Sequence, residues 1–462
     1  CVGRSAREGC GHLRTPSHGE DDTGEEISVS LSGTDQFVIP KGTAVNMIIK
    51  GDISASATAN ATFKMDITST NSNVVTASGA TSGNDINAAE GTAVANNMTI
   101  GTSGGTVEIS LDSNNPEAAL MAGGTTVNLA KFKFYATSTE DIELDYLYLT
   151  QVVTDTLSSS YLDYDEIWFV DEAGTEITGT RMTPTSTKPY INFADNAFVV
   201  NISDTNGEVL TLKAKLATIG TGYGGTSDHA VGYKINAVAD VVAKGDMTGN
   251  GSTEYLGSSA PTGNTNYVYK GYPIFARVNM TGALANGTKD LYKWTVTAVN
   301  NDIALYKFTF DIITTTCVVS NLYVYDVTGT EVALDETAGT PSGPETGMMW
   351  ETIGTDWDGV YATPDEAVVA SGVTRTFVLR GDVTAAATGD SVQVRMGGDA
   401  AHVAGTSTLL HSASGVDTDT NDDFLWSDMS AGSHTDSTVD WTNGFLVSGL
   451  SSPSTSAQVT SL

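Results

Sequence analysis

A chain that spells the same strand twice, about 160 residues apart, is built from tandem copies of one folding unit. Residues 129–136 read Leu-Ala-Lys-Phe-Lys-Phe-Tyr-Ala and, four residues later, Asp141-Ile-Glu-Leu144 follows. Residues 291–298 read Leu-Tyr-Lys-Trp-Thr-Val-Thr-Ala and, three residues later, Asp302-Ile-Ala-Leu305 follows. The turn Asp171-Glu-Ala-Gly174-Thr-Glu176 returns as Asp326-Val-Thr-Gly329-Thr-Glu331. A third signature, Val38-Ile-Pro-Lys-Gly42 through Lys50-Gly51-Asp52-Ile53, returns two periods on as Val368-Val-Ala-Ser-Gly372 through Arg380-Gly381-Asp382-Val383.

The stretches between these signatures read as strands. Residues 125–135, 142–149, 167–170, 209–216 and 377–383 are short runs of Val, Ile, Thr, Phe and Tyr bounded by Gly, Asn, Asp and Ser. Helical spacing is confined to two short candidates, residues 85–95 and 115–122. Many strands per unit, separated by turn residues, predict an all-β chain of tandem Ig-like or Greek-key β-sandwiches. Aligning the repeats gives full modules at residues 105–271 and 272–411, with residues 27–104 matching only the second half of a unit. In that half, Phe63-Lys64-Met65 aligns with Tyr233-Lys234-Ile235, Val74-Val75 with Val241-Val242, and Gly83-Asn84 with Gly249-Asn250. Residues 412–462 are left as a separate tail. Residues 1–26 match nothing and hold three of the eight arginines, as an arm or an artefact of the sequence would.

Charge then excludes one class of partner. With 55 acidic against 22 basic residues the net charge is -33, so the chain is not expected to bind nucleic acid, and divalent cations are its natural counter-ions. No run reaches the roughly 18–20 apolar residues of a membrane span. The three cysteines, Cys1, Cys10 and Cys317, suggest no disulfide framework, and Cys317, in an apolar strand, reads as a core thiol.

The combination of the Leu-x-Lys-Phe-x-Phe-x-Ala strand, the Tyr164-Asp165-Glu166-Ile-Trp-Phe-Val-Asp171 strand and turn, and the Val-x-x-x-Gly ending with its Lys/Arg-Gly-Asp resembles the repetitive S-layer-like surface proteins of Patescibacteria. The tail is similar too, with Phe424-Leu-Trp426-Ser-Asp428, Asp440-Trp441-Thr-Asn443-Gly444 and Ser448-Gly-Leu450. The resemblance covers residues 27–462. It implies an exported coat protein at the cell surface and supplies no catalytic residues.

Several motifs have plainer readings. Gly101-Thr-Ser103-Gly-Gly105 fits a nucleophile elbow, but a strand follows where a helix is needed, and no catalytic site is expected. Arg380-Gly381-Asp382 is explained by the repeat as a strand end with a basic residue and a turn, since Lys50-Gly51-Asp52 occupies the same place. Calcium is the better candidate ligand. Asp246, Thr248 and Asn250 sit at alternate positions before Gly251, with Glu254 near, although position twelve is Gly257 and not an acid. Asp417, Asp419, Asp422 and Asp423 crowd a second acidic stretch that either stays solvated or is bridged by a cation, and the Asp246 stretch too has the plainer reading of a solvated loop.

A non-enzymatic, self-assembling structural protein, forming a lattice or filament, is therefore the preferred expectation. The alternative is an adhesin or carbohydrate-binding stalk that presents tryptophans such as Trp168, Trp294, Trp350, Trp357, Trp426 and Trp441. Half a module exposes an apolar face and open strand edges, so something must cover it. Either residues upstream of the half module are missing, or it closes its own core as a small domain, or a strand from another copy of the chain completes it, with the tail, residues 424–450, as the candidate donor.

Overall fold

The computed structural model describes residues 38–45, 61–64, 76–86, 95–99, 105–137, 140–152, 159–247, 249–257, 259–334, 346–352, 366–405, 421–435, 438–452 and 454–462. The chain divides into two compact units, residues 1–102 and 103–462.

The first unit shows two short antiparallel pairs, Thr62–Phe63 with Met98–Thr99 and Ala77–Ser78 with Asp85–Ile86. The turn between the latter strands is closed by Gly79 N–H on Asn84 O and Gly83 N–H on Gly79 O, both 2.8 Å. Gly83 has φ of +68°, which favours a residue without Cβ. In the second unit Gly245 N–H bonds Asn250 O and Gly249 N–H bonds Gly245 O, again at 2.8 Å, with Gly249 also at +68°. The Gly83-Asn84 and Gly249-Asn250 match is thus a match of turns. No described residue of the first unit is buried, and Val38, Ile39, Ile86 and Met98 stand exposed.

The second unit is all-β and consists of two sandwiches in sequence. The first uses β1 (Thr106–Leu111), β2 (Thr126–Thr137), β3 (Ile142–Tyr148), β4 (Tyr164–Val170), β5 (Glu208–Leu216) and β6 (Val241–Gly245). One sheet runs β4-β5-β2-β1, with Thr253–Leu256 added parallel to β1. The other is built on β3, with Tyr190–Asn192 and Val199–Val200 along one edge and β6 along the opposite one. The second sandwich uses β7 (Tyr272–Arg277), β8 (Gly287–Val299), β9 (Ile303–Thr314), β10 (Val318–Asp326), β11 (Thr374–Thr384), β12 (Ser391–Met396) and β13 (Phe424–Ser427). Its first sheet runs β7-β8-β11-β10, then Val332–Leu334. In its second sheet, β9 carries Thr346–Thr352 and Ala367–Val369 on one edge and β12 and β13 on the other.

The repeated opening strands are not hydrogen-bonded neighbours. β2 and β3, like β8 and β9, lie in opposite sheets and face each other across a core. That is why both keep the same alternation of large apolar side chains: each supplies an inward face. Phe132, Phe134, Ile142 and Leu144 are fully buried, as are their counterparts Trp294, Val296, Ile303 and Leu305. Trp294 touches Phe308 and Phe310 of the opposite sheet, with centroids at 5.1 and 5.4 Å, and stacks on Phe377 at 5.6 Å. Cys317 is buried in the same core, and burial pushes its thiol up.

Four expectations are corrected. The stretch 412–462 is no separate tail, because Phe424–Ser427 pairs with β9, Trp441–Asn443 pairs with β13, and Gln458–Ser461 pairs with β12. Phe275 N–H also bonds Ser448 O, in a parallel bridge where the first sandwich has Thr253–Leu256 on β1. Residues 424–450 are therefore seated in their own chain's core, where Phe424 and Trp426 are 0% exposed, and they are not a free donor strand. No α-helix occurs among the described residues, and residues 115–122 form a loop ending in the strand Leu120–Ala122. Of the other helix candidate, residues 87–94 lie outside the described residues. Arg380-Gly381-Asp382 is neither a strand end nor a turn. It lies inside β11, with Asp382 opposite both Thr288 and Ser320.

The Asp-x-x-Gly-Thr-Glu turn in the middle of each repeat has an arginine partner. Glu176 pairs with Arg181, which also reaches Glu166 and lies 3.9 Å over the Trp168 ring. Glu331 pairs with Arg380, which also reaches Asp290 and lies 4.5 Å over Tyr325.

Cavity formation at an inward position should be costly. Phe134→Ala removes a ring packed edge-on to Phe198 at 5.4 Å and is expected to destabilise the first sandwich by about 3–5 kcal/mol, read from the midpoint of denaturant unfolding. A loss below about 1 kcal/mol would place Phe134 outside the core.

Candidate functional site

The loop expected to hold calcium is the repeat's own turn. Asp246 is exposed in it, its N–H bonded to Asp141 O at 2.9 Å, and its place in the first unit's copy is taken by Ala80. Asn250 uses its carbonyl to close the turn. Glu254 points back into the strand pair, where Oε1 accepts from the Ser252 hydroxyl at 2.8 Å and from Ala243 N–H at 3.3 Å. Thr248, Asp417 and Asp419 lie outside the described residues. Among the described residues no group of three His, Cys, Asp or Glu is arranged to hold a metal ion.

Asp422 and Asp423 are buried, at 8% and 3% exposure, and each has a protein environment of its own. Asp422 Oδ2 lies 3.2 Å from Nζ of Lys307, a fully buried lysine on β9. Asp423 is packed against Gly397, where a Cβ would come within 2.7 Å of its Cγ. Its N–H donates to Asp399 Oδ1 at 2.8 Å. Burial pushes the Asp399 carboxyl up to about 7 despite that bond and others from Gly444 and Phe424 N–H.

A larger polar assembly forms where the two sandwiches join, and no sequence motif announces it. Only Lys270 and Gly271 separate the strand Asn266–Tyr269 from β7. That strand belongs to a small sheet of the first sandwich with Leu120–Ala122 and His229–Val231. Its Tyr267 and Tyr269 nevertheless bury their rings in the core of the second sandwich. Tyr269 O–H donates to Asp228 Oδ1 at 2.5 Å, and the same oxygen accepts from His402 Nε2 at 2.7 Å. The other oxygen accepts from Gly405 N–H at 2.7 Å. His402 stacks on Tyr267, with centroids 4.0 Å apart and planes within 3°. Asp228 takes a positive φ of 66°, a conformation that Asp tolerates better than most residues.

A second carboxylate crosses the same junction. Asp428 Oδ2 accepts from Lys270 N–H at 2.8 Å and from the Ser227 hydroxyl, and burial raises its pKa. Asn300 Nδ2 donates to Lys270 O at 2.8 Å and Gly123 O at 3.3 Å. An Asp-His-Tyr chain has the parts of an acid–base relay, but His402 is sealed between rings with 5% of its side chain exposed. What these groups do chemically is tie two domains together. A cleft of about 450 Å³ runs along the joint, lined by Leu120, Thr126, Asn128, Tyr272 and Asn300 among others, with no Asp, Glu, His, Cys or Lys in its wall.

The third cluster fixes the segment after β13. His434 is clamped by Asp440 on Nδ1 at 2.9 Å and by Glu366 on Nε2 at 3.2 Å, all three largely buried. Burial alone would lower its pKa, but the bonds and charges of Asp440 and Glu366 outweigh that and hold it up at about 9. Asp440 is likewise depressed, burial being outweighed by His434, Thr438 and the Ala431 N–H.

Two outcomes follow for these clusters. Tyr269→Phe keeps the ring but removes a buried hydroxyl that meets Asp228 of its own sandwich and His402 and Thr442 of the second. It should cost about 1–3 kcal/mol at the joint and split a shared unfolding transition into two; a single unchanged transition would count against the coupling. For His434, the folded pKa lies above the unfolded value of about 6.5. Its contribution is therefore complete below about 6.5 and is lost as pH rises through about 9. The denaturation midpoint of the native chain should fall across that window, and in His434→Ala the fall should be smaller.

No protein-family model matches the chain, and no curated protein matches it. Among solved structures, the C-terminal domain of the Streptococcus agalactiae AgI/II polypeptide BspA is similar at 11% identity, covering 63% of this chain and 94% of that one, with a TM-score of 0.18. The serine-rich repeat protein Srr2 of the same organism is similar at 12% identity, covering 63% and 87%, with a TM-score of 0.16. Superpositions this loose carry no inference about function.

Proposed function

We propose that the chain is a structural protein of the bacterial cell surface that assembles with copies of itself into an S-layer-like lattice or an extracellular filament. The observation that carries the reading is the joint itself. Two sandwiches that share a core through Tyr267 and Tyr269, and are tied by Asp228 and Asp428, form one stiff body where a binding stalk would tolerate a flexible linker. The resemblance of the repeats to coat proteins points the same way. So does the burial of Trp168, Trp294, Trp426 and Trp441, the described tryptophans whose side chains are placed, because none is open for stacking on a sugar.

One surface favours the adhesin reading. Tyr146, Tyr148 and Tyr190 stand together on the sheet of β3, with centroids 5.0 to 6.0 Å apart and Lys188 over Tyr148. Tyr190 is 42% exposed, so the patch can be reached by a planar or sugar-like ligand.

Negative-stain electron microscopy of the purified chain separates the two. Ordered sheets or filaments are expected, and with a net charge of -33 they should form more readily with millimolar calcium and come apart in chelator at low salt. Monodisperse particles under all these conditions, together with glycan-array binding that is lost in Tyr190→Ala, would replace the structural reading with the adhesin one.

A further inference from the structure

Lys307 occupies a place in the fold where a lysine has no ordinary reason to be. It lies in the middle of β9, the central strand of its sheet, among Leu305, Phe308 and Phe310, and none of its surface reaches solvent. Long basic side chains normally bury the stem and release the charged head to water. Here the head is enclosed, and Nζ makes no hydrogen bond. Its neighbour is Asp422 Oδ2 at 3.2 Å, itself buried. The first sandwich shows the ordinary solution. Both β3 and β9 carry a one-residue bulge, opposite β6 and β13, and that shared register places Tyr146 where β9 has Lys307.

Stability does not account for the pair as an ion pair, since two charges taken out of water recover little more than their desolvation cost, and apolar replacements serve as well. Chemistry does account for it. Nζ of Lys307, on a central strand, lies 3.2 Å from Asp422 Oδ2, two residues before β13, so the amine and the carboxyl group are already in contact, as an intramolecular acylation requires, and burial keeps out the water that would reverse it. We propose that Lys307 and Asp422 are joined by an intramolecular isopeptide bond, formed spontaneously once the second sandwich has folded.

The step balances without a co-reactant. In the neutral pair, the amine lone pair of Lys307 attacks Cγ of the Asp422 carboxylic acid. The N–C bond forms, the bond from Cγ to the hydroxyl oxygen breaks, and one proton from the amine leaves with that oxygen as water. Nothing is oxidised or reduced. Asp399, whose carboxyl bonds the N–H of the next residue, is held near 7 by burial, so an acid able to give and accept a proton at neutral pH stands at the head of the same strand. The bond would close a loop of more than a hundred residues, doing for a cysteine-poor chain what a disulfide does elsewhere. It would also lock β13 to β9, so that the last described elements cannot peel from the sheet. The proposal is independent of whether the protein assembles.

Intact-mass spectrometry and peptide mapping of the folded full chain decide it. The expected result is a protein lighter than its sequence by one water, with a digest containing a branched peptide that joins Lys307 to Asp422 and survives reduction and denaturant. Lys307→Arg should restore the full sequence mass. A native chain at full mass, a lost water without the branched peptide, or a loss that persists in Lys307→Arg would each overturn the proposal. The mass and the digest of the native chain are decisive by themselves, so the outcome does not depend on how well the variant folds.

Discussion

Everything in the second unit depends on closing one sheet over another. A sheet with one apolar face is unstable in water until a second face covers it, and here the covering strand is the very next one in the chain. β2 passes directly to β3 and β8 to β9, each pair spanning the core, so the two sheets of a sandwich are stitched at their centres. The aromatic contacts of Trp294 with Phe308, Phe310 and Phe377 show how much of the packing this stitch organises. The short strands at the edges then have a preformed surface to dock on.

That stitch is what the sequence shows most clearly. The strands at 125–135, 142–149, 167–170, 209–216 and 377–383 all appear within a few residues of their expected bounds, because alternation toward a core is a local pattern. The last strands are harder to assign. In the first sandwich β6 alone pairs along one edge of β3, whereas in the second the matching edge of β9 is divided between β12 and β13, which are far apart in sequence. An alignment by repeat stops in the interval between them, and so the strands after it resemble an appendage in sequence.

The candidate sites are legible in a different measure. Asp246 and its neighbours have the spacing of a cation loop, yet the same spacing is demanded by a turn whose glycine must adopt positive φ, and spacing alone does not separate the two. The buried polar clusters leave no trace at all in one dimension. Asp228 and His402 are 174 positions apart and meet only because two sandwiches dock. Lys307 does leave a trace, a single cation among Leu305, Phe308 and Phe310, but its meaning comes from Asp422 lying against its amine.

The sharing of Tyr267 and Tyr269 between two bodies has a consequence for how the protein is made. The Tyr269 ring is covered by Trp426 and its hydroxyl is met by His402 and Thr442, while the Tyr267 ring is covered by His402, and all of these leave the ribosome long after the first sandwich has emerged. A nascent chain at that stage carries a nearly finished domain with two bare tyrosines at its trailing edge and an Asp228 that lacks its His402 and Gly405 partners. Folding can advance from the N-terminal side, as domains usually do during synthesis, but it cannot be sealed there. The final strands act as a completion signal, and a chain cut short before them would expose a sticky, partly charged end for quality control to find.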